Sequence, residues 1–426
     1  MAAIVKVLGR RVWDSRGRPT VEAEVTLSDG AVGRAIAPAG ASMGSGEAVD
    51  LRDGGARFGG YGVARAVAGV NGEIAAALIG LDGAEQGEVD GVLVALDGGS
   101  NKARLGGNAI IATSMAALKA NAASSGRPLW ALLAGDGPVR IPVPEIQIFG
   151  GGAHAGRRVD IQDFLVMCPD AASFDEALER TAEVYRAAGE ILAQEGRRMG
   201  VADEGGWWPA FDTNEAALDC LMRSIERAGF TPGDEVSIAL DVAASEFGAN
   251  DRYRFGLEGR ELDRDGLGEV LLRWVARYPI LSIEDPFAED DLDGFRRFTA
   301  AVGAKVQVVG DDLLVTSAER VATAARDKLV TCALIKPNQA GTISQTKAAL
   351  AAAQGLGLGA IVSARSGESE DVTIAHLAVG WNAGQFKVGS MARSERTAKW
   401  NEMLRIEEAL GAAAPFAGPA ALAYLR

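Results

Sequence analysis

Three apolar, strand-like runs in this chain each end in a carboxylate. Asp241 ends SIALD, Glu284 ends LSIE, and Asp311 ends VQVVGD. Successive strands of a parallel barrel present their C-terminal ends at one rim, where the catalytic groups of that fold lie. Each acidic residue taken alone also suits a cap of the next helix. The three together favour a metal site, because carboxylates that converge on one rim repel one another unless a cation lies between them.

The ligand types indicate which cation such a site would hold. Carboxylates without cysteine or histidine partners favour a hard cation such as Mg²⁺ over zinc. Basic groups end later strand-like runs, at Lys336 in CALIK, Arg365 in IVSAR and Lys387 in QFK. Most separations between these polar ends match one strand–helix unit. A doubly wound sheet would share that spacing, but so many polar strand ends fit a closed barrel with one central site better.

The basic residues allow two interpretations each. Lys336 and Lys387 suit a structural role, in which their ammonium groups neutralise the carboxylates. They also suit catalysis, because a desolvated lysine near divalent cations has a lowered pKa and can act as a general base. Arg365 and Ser366 offer a guanidinium fork and a hydroxyl to a phosphate-like oxyanion. In the competing interpretation, Arg365 only forms an ion pair at the rim.

Length and charge narrow the class of protein. A chain of 426 residues suits a barrel of about 250 residues plus a second module. The formal net charge of −14 disfavours nucleic acid and anionic membranes as partners. Cys168, Cys220 and Cys332 are odd in number and widely spaced, which predicts reduced thiols in the core. Neither a signal peptide nor a membrane span is recognisable, so we expect a cytoplasmic protein.

The order of sequence patterns predicts two domains. Residues 20–27 alternate apolar and charged side chains, which is typical of a half-exposed strand. The glycine-rich segment 39–46 suits a lid, and an alanine-rich helical pattern covers residues 63–133. The proline-spaced segment 138–144 can form neither an internal strand nor a helix and indicates a passage between domains. The predicted domains are residues 1–137 and 138–426.

Motifs in the same order along the chain resemble those of the enolase family. They are WDSRGRPTVEAEV, APAGASMGSGEA, GGGAHAG, DEGG, SIEDPF, VGDDLLVT, LIKPNQAGTISQT, SARSGESED and ARSERTAKWNEMLRIEEAL. The resemblance covers nearly the whole chain and is highly specific. It implies an α/β fold in which an N-terminal α+β domain caps a modified (β/α)8 TIM barrel. It also implies carbon–oxygen lyase activity, two Mg²⁺ ions, and a homodimer or a larger assembly of dimers.

The resemblance implies a role for each matching residue. The metal ligands are matched by Asp241, Glu284 and Asp311, with Ser42 of the lid as a ligand of the second ion. Lys336 matches the base that removes the proton next to the substrate carboxylate. Glu204 matches the acid that assists departure of hydroxide. Lys387 matches the residue that holds the substrate carboxylate. Arg365 and Ser366 match the pair that binds the phosphate. His154 and Gln162 match residues that line the site.

Several positions depart from the family pattern. Ala364 replaces the histidine of S-H-R-S-G-E, and Asp163 is one methylene shorter than the usual glutamate near the acid apparatus. The lid segment Met43–Gly46 has lost larger side chains beside Ser42, and Arg157 replaces a neutral asparagine. Neutral drift is one explanation. Against it, the departures fall around the substrate while the metal and base positions remain.

These departures favour a larger or more anionic substrate than 2-phosphoglycerate, with added space at Ala364 and charge recognition by Arg157. The leading hypothesis is a specialised carboxyphosphonoenolpyruvate synthase of phosphinate natural-product biosynthesis. An ordinary enolase that converts 2-phosphoglycerate into phosphoenolpyruvate in glycolysis is the alternative. A non-catalytic binding protein derived from enolase is a third interpretation, which the retained Lys336 disfavours. In both enzymatic interpretations the substrate is a small anionic hydroxy acid that is phosphorylated or phosphonylated. Asp163 is then expected to take part in catalysis with the acid Glu204.

Overall fold

The structure, a computed structural model, describes residues 2–41, 43–413, 415–422 and 425. It begins with an antiparallel meander whose central strand pairs with both neighbours. The three strands are β1 (Ile4–Trp13), β2 (Pro19–Leu27) and β3 (Val32–Ile36).

The central strand β2 is more buried than its alternating sequence predicts. One face carries Val21 and Val25 into the core. The opposite face is covered by Arg10 of β1, whose Nη1 atom lies 2.6 Å from Oε1 of Glu22 and 3.1 Å from Oε2 of Glu24. The predicted strand is therefore confirmed, but the prediction that it is half-exposed is wrong, because a neighbouring arginine replaces water as the partner of the charged face.

The alanine-rich segment after the meander is helical, as predicted. It forms α1 (Ala64–Gly69), α2 (Ala75–Leu78), α3 (Gln86–Asp97), α4 (Gly107–Ser125) and α5 (Leu129–Ala134), with a π-helical turn at Val70–Ile74. Helix α4 packs on β2 and β3, and its small side chains allow close approach. A Cβ atom at Gly33 of β3 would lie 2.1 Å from the carbonyl oxygen of Ala116, so this contact requires glycine.

The strands beyond residue 142 build the barrel and two small additions to it. They are β4 (Val143–Gly150), β5 (Asp163–Met167), β6 (Arg198–Val201), β7 (Trp207–Pro209), β8 (Ser237–Asp241), β9 (Gly248–Ala249), β10 (Arg252–Phe255), β11 (Arg260–Asp263), β12 (Ile280–Glu284), β13 (Gln307–Gly310), β14 (Cys332–Ile335), β15 (Gly359–Ser363) and β16 (Gly384–Gly389). The β6–β7 hairpin attaches to β4, and β9, β10 and β11 form a separate small sheet.

The described strands close into an eight-stranded barrel in the order β4-β5-β8-β12-β13-β14-β15-β16, with β16 pairing back to β4. The strand β5 runs antiparallel to β4 and β8. The other neighbouring strands of the ring are parallel. The predicted TIM-type barrel is thus confirmed, with one reversed strand that brings its N-terminal end to the rim where the parallel strands end.

The proline-spaced segment reaches into this barrel. Pro144 is the second residue of β4 and lies opposite Phe386 of β16. The expectation that residues 138–144 contain no internal strand is therefore wrong for the last two residues. A proline is tolerated at the start of a strand, where one missing N–H group interrupts little of the ladder.

Helices after the barrel strands form the outer layer. They are α6 (Phe174–Gln194), α7 (Asn214–Arg227), α8 (Arg264–Arg277), α9 (Leu292–Val302), α10 (Ala318–Arg326), α11 (Pro337–Ala340), α12 (Ile343–Gly355), α13 (Thr373–Gly380) and α14 (Ser394–Leu410). Side-chain caps fix where several of them begin. The Ser173 hydroxyl accepts a hydrogen bond from the Glu176 N–H at 3.0 Å, which caps the start of α6.

A buried ion pair joins the N-terminal elements to the barrel. Lys119 of α4 donates to Oδ2 of Asp371 at 2.8 Å, and the N–H of Ile36 donates to the same oxygen at 3.1 Å. Oδ1 of Asp371 accepts hydrogen bonds from the N–H and the hydroxyl of Thr373, at 2.8 and 2.5 Å. The predicted boundary between residues 137 and 138 lies between α5 and β4, and it stays a prediction.

The three cysteines are buried thiols, as predicted, and none forms a disulfide within the described residues. Burial raises the pKa of Cys168 to about 12 and that of Cys220 to about 11, so these thiols stay protonated near neutral pH. Among the residues that the structure describes, no helix is both long enough and apolar enough to cross a membrane.

Candidate active site

The barrel rim brings the predicted metal ligands together. Asp241 and Glu284 are the last residues of β8 and β12 and lie opposite each other in register. Asp311 follows directly after β13. All three are buried, with exposures of 3%, 2% and 6%. The strand-end pattern therefore predicts their positions well, while their role as ligands stays a prediction.

Two lysines lie among these carboxylates. Lys387 of β16 donates to Oδ2 of Asp241 at 2.9 Å and to Oε2 of Glu284 at 2.6 Å. Lys336, which follows β14, donates to Oδ2 of Asp311 at 2.5 Å. The ammonium groups thus neutralise part of the carboxylate charge. Because both lysines also line a cavity, the catalytic interpretation stays open as well.

The pairing shifts the proton affinities of these groups. Burial lowers the pKa of Lys336, but the carboxylate of Asp311 and its neighbours outweigh burial, and the pKa is raised. Burial and the nearby Asp241 raise the pKa of Glu284 well above its usual value. Burial also acts to raise the pKa of Asp241, yet Lys387 lowers it overall. The lowered lysine pKa expected at this site depends on a cation, since the protein groups alone act in the opposite direction.

Two buried oxygens of this cluster have no hydrogen-bond donor among the described residues. They are Oδ1 of Asp241 and Oε1 of Glu284. A buried carboxylate oxygen without a partner is costly. An all-oxygen donor set is what Mg²⁺ prefers. The residues present therefore fit a hard divalent cation.

A neighbouring acidic group shapes the rim. The carboxylates of Asp285, Asp311 and Asp312 each offer an oxygen within 4.8 Å of the others. Both oxygens of Asp285 accept backbone hydrogen bonds, from the N–H of Asp311 at 2.9 Å and that of Asp312 at 2.8 Å. Asp285 therefore holds the turn that follows β13 and so places Asp311.

Glu204, the predicted acid, lines the same cavity as Lys336. Oε1 of Glu204 lies 3.8 Å from Nε2 of His154, and Nδ1 of His154 lies 2.9 Å from Oδ1 of Asp163. The amide of Gln147 donates to the same oxygen of Asp163. Burial lowers the pKa of His154, but the two carboxylates outweigh it and raise the pKa to about 9. The neighbouring carboxylates therefore favour the charged form of His154, which lies between Asp163 and Glu204.

The predicted substrate-binding residues Gln162, Ala364, Arg365 and Ser366 also line this cavity. Gln162 donates to Oδ2 of Asp241 at 3.3 Å. Arg365 is buried and donates through Nη1 to Oε2 of Glu47 at 2.9 Å. Burial lowers the pKa of Arg365, but Glu47 outweighs it and raises the pKa. The guanidinium therefore stays charged in the wall of the cavity.

Two arginines hold the segment that carries Arg365 and Ser366. Nη1 of Arg396 donates to the carbonyl of Arg365 at 2.6 Å, and Nη2 donates to that of Ser366 at 2.5 Å. Arg16 donates to the Ser366 hydroxyl at 3.3 Å. Neither arginine ends a strand, so the strand-end reasoning did not identify them, although both lie in motifs that resemble the enolase family.

The lid lies against the barrel rim. Ala39 and Gly367 exchange backbone hydrogen bonds at 2.8 and 2.9 Å, and Gly40 and Ala41 line the cavity. The N–H of Ser45 donates to Oε2 of Glu289 at 2.9 Å. Ser42, the predicted ligand of a second ion, lies outside the described residues.

Arg157 does not reach the cavity. Its Nη2 atom lies 2.6 Å from Oε2 of Glu246, and its side chain is 62% exposed. Arg157 has a φ of 56°, in the turn after the 3-10 helix Gly152–Ala155, and this turn directs it towards the surface. Arg157 therefore does not line the cavity in this structure, and its substrate-binding role stays a prediction.

Gln339 links Glu47, which follows the lid segment, to Asp311 of the acidic rim, and the strand-end reasoning did not identify it. Its amide donates to Oδ1 of Asp311 at 2.9 Å and to Oε1 of Glu47 at 3.2 Å. Its carbonyl accepts a hydrogen bond from the hydroxyl of Thr316 at 2.6 Å, and that hydroxyl accepts one from the N–H of Lys336 at 2.9 Å. Glu47 and Gln339 lie within the lid and LIKPNQAGT motifs, which were the available signal.

Known proteins resemble this chain over almost its whole length. The family model described as the C-terminal TIM barrel domain of enolase matches residues 138–425, and that of the enolase N-terminal domain matches residues 4–133. Enolase 1 of Desulfitobacterium hafniense (strain Y51) is 49% identical over 416 residues, which cover 97% of this chain and 95% of that protein. Both observations agree with the capped barrel and its acidic rim, and we conclude that this chain belongs to the enolase family of carbon–oxygen lyases.

Proposed function

We propose that this enzyme eliminates water from a small 3-hydroxy carboxylate that carries a phosphate or phosphonate group at C2. One observation supports the proposal above the others: Lys336, Glu204, Arg365 and Lys387 line a single cavity at the rim. The elimination requires a base, an acid and cationic groups for two anions, and these four side chains supply them.

The reaction breaks a C–H bond and a C–O bond and forms a carbon–carbon double bond. Lys336, in its uncharged form, takes the proton from the carbon next to the substrate carboxylate. The electron pair of the C–H bond forms the double bond as the hydroxyl group departs. Glu204, in its protonated form, gives a proton to the departing hydroxide, which leaves as water.

The remaining side chains bind and orient the substrate. Lys387 would hold its carboxylate, and Arg365 with Ser366 would hold its phosphate. His154 and Gln162 would line the site, and Asp163 would orient His154. This division gives each anionic group of the substrate a buried cation of its own, which fixes the substrate relative to the base.

Asp241, Glu284 and Asp311 would hold Mg²⁺, and enolase-superfamily sites pair a lysine or histidine base with one or two such ions. When bound, the cation supplies the positive charge that stabilises a carboxylate gaining electron density. We propose two ions, the second with Ser42 as a ligand. The unpaired oxygens of Asp241 and Glu284 support the first of them.

We assign 2-phosphoglycerate as the first candidate substrate. The relative that is 49% identical over nearly the whole chain is named an enolase. Arg157, which was expected to add charge recognition, pairs with Glu246 outside the cavity. The position of Arg157 thus weakens one of the reasons for expecting a larger or more anionic substrate, while Ala364 and the lost bulk of the lid segment remain.

A carboxyphosphono-type substrate is the second candidate, and Ala364 favours it. Ala364 lines the cavity, where its methyl group has no hydrogen-bonding capacity and occupies little volume. If that space serves a larger anion, Ala364→His lowers kcat/KM for the carboxyphosphono substrate and spares or improves that for 2-phosphoglycerate. Equal effects on both substrates would contradict this role of Ala364.

The test of the elimination is an assay with purified protein, Mg²⁺ and 2-phosphoglycerate, followed by the ultraviolet absorbance of the enol product. We expect Lys336→Ala to lower kcat by about 100- to 10,000-fold, the usual contribution of a general base. Lys347→Ala is the matched control, because Lys347 is exposed on α12. The elimination would be refuted if Lys336→Ala kept full activity on both candidate substrates, and the non-catalytic interpretation would then gain.

We also propose that the enzyme is a cytoplasmic homodimer or a larger assembly of dimers, as the family resemblance implies. Light scattering during size-exclusion chromatography measures the mass in solution. A mass equal to that of one 44.2 kDa chain at all concentrations would contradict the assembly.

A further inference from the structure

A second polar cavity lies beside the catalytic one, at the base of the lid. Its volume is about 290 Å³. Gln339 and Thr316 form part of its wall, and their side chains also contact Asp311 and the backbone of Lys336. Among the described residues, no side chain lines both cavities, so the second cavity is separate from the first. Gln339 and Thr316 connect the two, because they line the second cavity and contact residues of the first site.

Lys102 is the charged group that makes this cavity unusual. It is only 4% exposed, and its ammonium forms neither a hydrogen bond nor an ion pair with any described residue. Burial lowers the pKa of Lys102, and the more distant Asp97 offsets this only in part. The buried stem limits the hydration of the ammonium to the side that faces the cavity, so an anion in the cavity would supply the partner that the described residues do not.

The fold makes room for the stem of this lysine. A Cβ atom at position 341 would lie 2.5 Å from Cδ of Lys102, and Gly341 has a φ of +88°. Any other residue at position 341 would displace the lysine stem and strain the backbone as well. The glycine therefore keeps Lys102 in the wall of the cavity.

Helix α10 begins at the same cavity. Ser317 caps the helix, and Ser317 and Ala318 both line the cavity. The first N–H groups of a helix have no partners within it and carry partial positive charge, which makes a helix start a binding site for phosphate groups. Helix α10 has nine residues, enough for this effect. Glu319 lines the cavity too, but its side chain is exposed and forms no ion pair with Lys102 in the described chain.

We infer that this cavity binds a phosphate dianion, free or as a small monoester, between the ammonium of Lys102 and the start of α10. The hydroxyl groups of Ser100 and Ser317 supply further donors. The inference goes beyond the proposed function, because none of these residues lines the catalytic cavity and none takes part in the elimination.

The test is site-resolved acetylation of the full-length protein with Mg²⁺ bound. Trace acetic anhydride labels the lysines, and peptide mass spectrometry reports each one separately. Inorganic phosphate at ten times its dissociation constant is expected to lower labelling of Lys102 about tenfold and to leave the exposed Lys347 unchanged. Because Lys102 is read out individually, its protection is distinguished from that of lysines elsewhere in the protein.

A second arm replaces inorganic phosphate with glycerol phosphate. Protection by inorganic phosphate alone identifies a site for the free ion, and protection by glycerol phosphate identifies one that admits monoesters. Unchanged labelling of Lys102 in both arms would overturn the inference.

Variants provide an independent check. Phosphate should raise the melting temperature of Lys102→Arg as much as that of the wild type, and raise that of Lys102→Met less. If Lys102→Met kept the full phosphate-dependent shift, the inference would be wrong. Lys102→Arg replaces the side chain but keeps its charge. A phosphate-dependent shift that is kept in Lys102→Arg and reduced in Lys102→Met therefore reports loss of the binding site and not damage to the fold.

Discussion

Two buried lysine–carboxylate groups, one at the catalytic rim and one between the N-terminal elements and the barrel, differ in how completely their oxygens are paired. Both oxygens of Asp371 accept hydrogen bonds, from Lys119, Ile36 and Thr373. At the rim, Oδ1 of Asp241 and Oε1 of Glu284 receive none from the described residues. The same residue types thus form one complete network and one incomplete network.

The difference separates structural stabilisation from ligand binding. Burial acts to raise the pKa of Asp371, but Lys119 outweighs it and the pKa falls to about 2. Burial and Asp241 instead raise the pKa of Glu284 well above its usual value. A fully paired buried charge stabilises a fold, whereas a partly paired one is costly until a ligand completes it. Each of the following measurements tests this contrast.

Of these variants, Glu284→Gln should have the largest effect. It should lower kcat/KM and the Mg²⁺-dependent gain in stability, and change the stability in the absence of Mg²⁺ much less. Wild-type protein in Mg²⁺ at 100 times its dissociation constant should gain about 2.7 kcal/mol in the free energy of unfolding. The variant should lose most of this gain and about 100- to 1000-fold in kcat/KM. Urea unfolding with and without chelator measures the first effect and the enol-product assay the second. A full Mg²⁺-dependent gain in the variant would contradict the assignment of Glu284 as a ligand.

Asp371→Asn should have the opposite profile. Loss of the charge that pairs with Lys119 should lower the free energy of unfolding by about 2 to 3 kcal/mol, because one partner of a buried ion pair is left alone. Urea unfolding in chelator isolates this effect from metal binding. The Mg²⁺-dependent gain in stability should equal that of the wild type. If Asp371→Asn lost the Mg²⁺-dependent gain in stability but kept wild-type stability in chelator, Asp371 would act in metal binding and not in stabilising the fold.

The contribution of Asp371 should also depend on pH in a defined direction. Its pKa in the folded protein is lowered from the usual 3.8 to about 2. The stabilisation is therefore fully present above pH 3.8 and is lost as the pH falls towards the folded value. The stability difference between wild type and Asp371→Asn should stay constant from neutral pH down to about pH 4 and then shrink. A difference that persists unchanged at lower pH would show that packing, not charge, is responsible.

Arg157→Ala should have the smallest effect. Its ion pair with Glu246 is exposed, and such pairs contribute about 0 to 1 kcal/mol. We expect KM for 2-phosphoglycerate and the free energy of unfolding to change little. Steady-state kinetics checks the first expectation, with Glu246→Ala as the matched control. An increase of KM in Arg157→Ala alone would restore Arg157 to the substrate site.

Much of the rim could be predicted from strand ends, because parallel strands of a barrel finish on one side. This reasoning found Asp241, Glu284, Asp311 and Lys336. It could not explain Asp163, because Asp163 begins β5, the strand that runs against its neighbours. A reversed strand presents its first residue at the rim where the parallel strands present their last. The family resemblance identified Asp163, whereas the position of Arg157 required the conformation of one turn.

The sequence by itself determined the chemical class of this protein. Carboxylates at strand ends, two lysines and the order of the family motifs indicate a capped barrel of the enolase family and a carbon–oxygen lyase, since strand periodicity and side-chain chemistry are local properties. Only the tertiary structure decided which charges meet. Both oxygens of Asp371 accept hydrogen bonds, Arg157 faces outwards, and none of the described residues pairs with the ammonium of Lys102 near the start of α10. These outcomes depend on contacts between residues far apart in the chain, which no local pattern specifies.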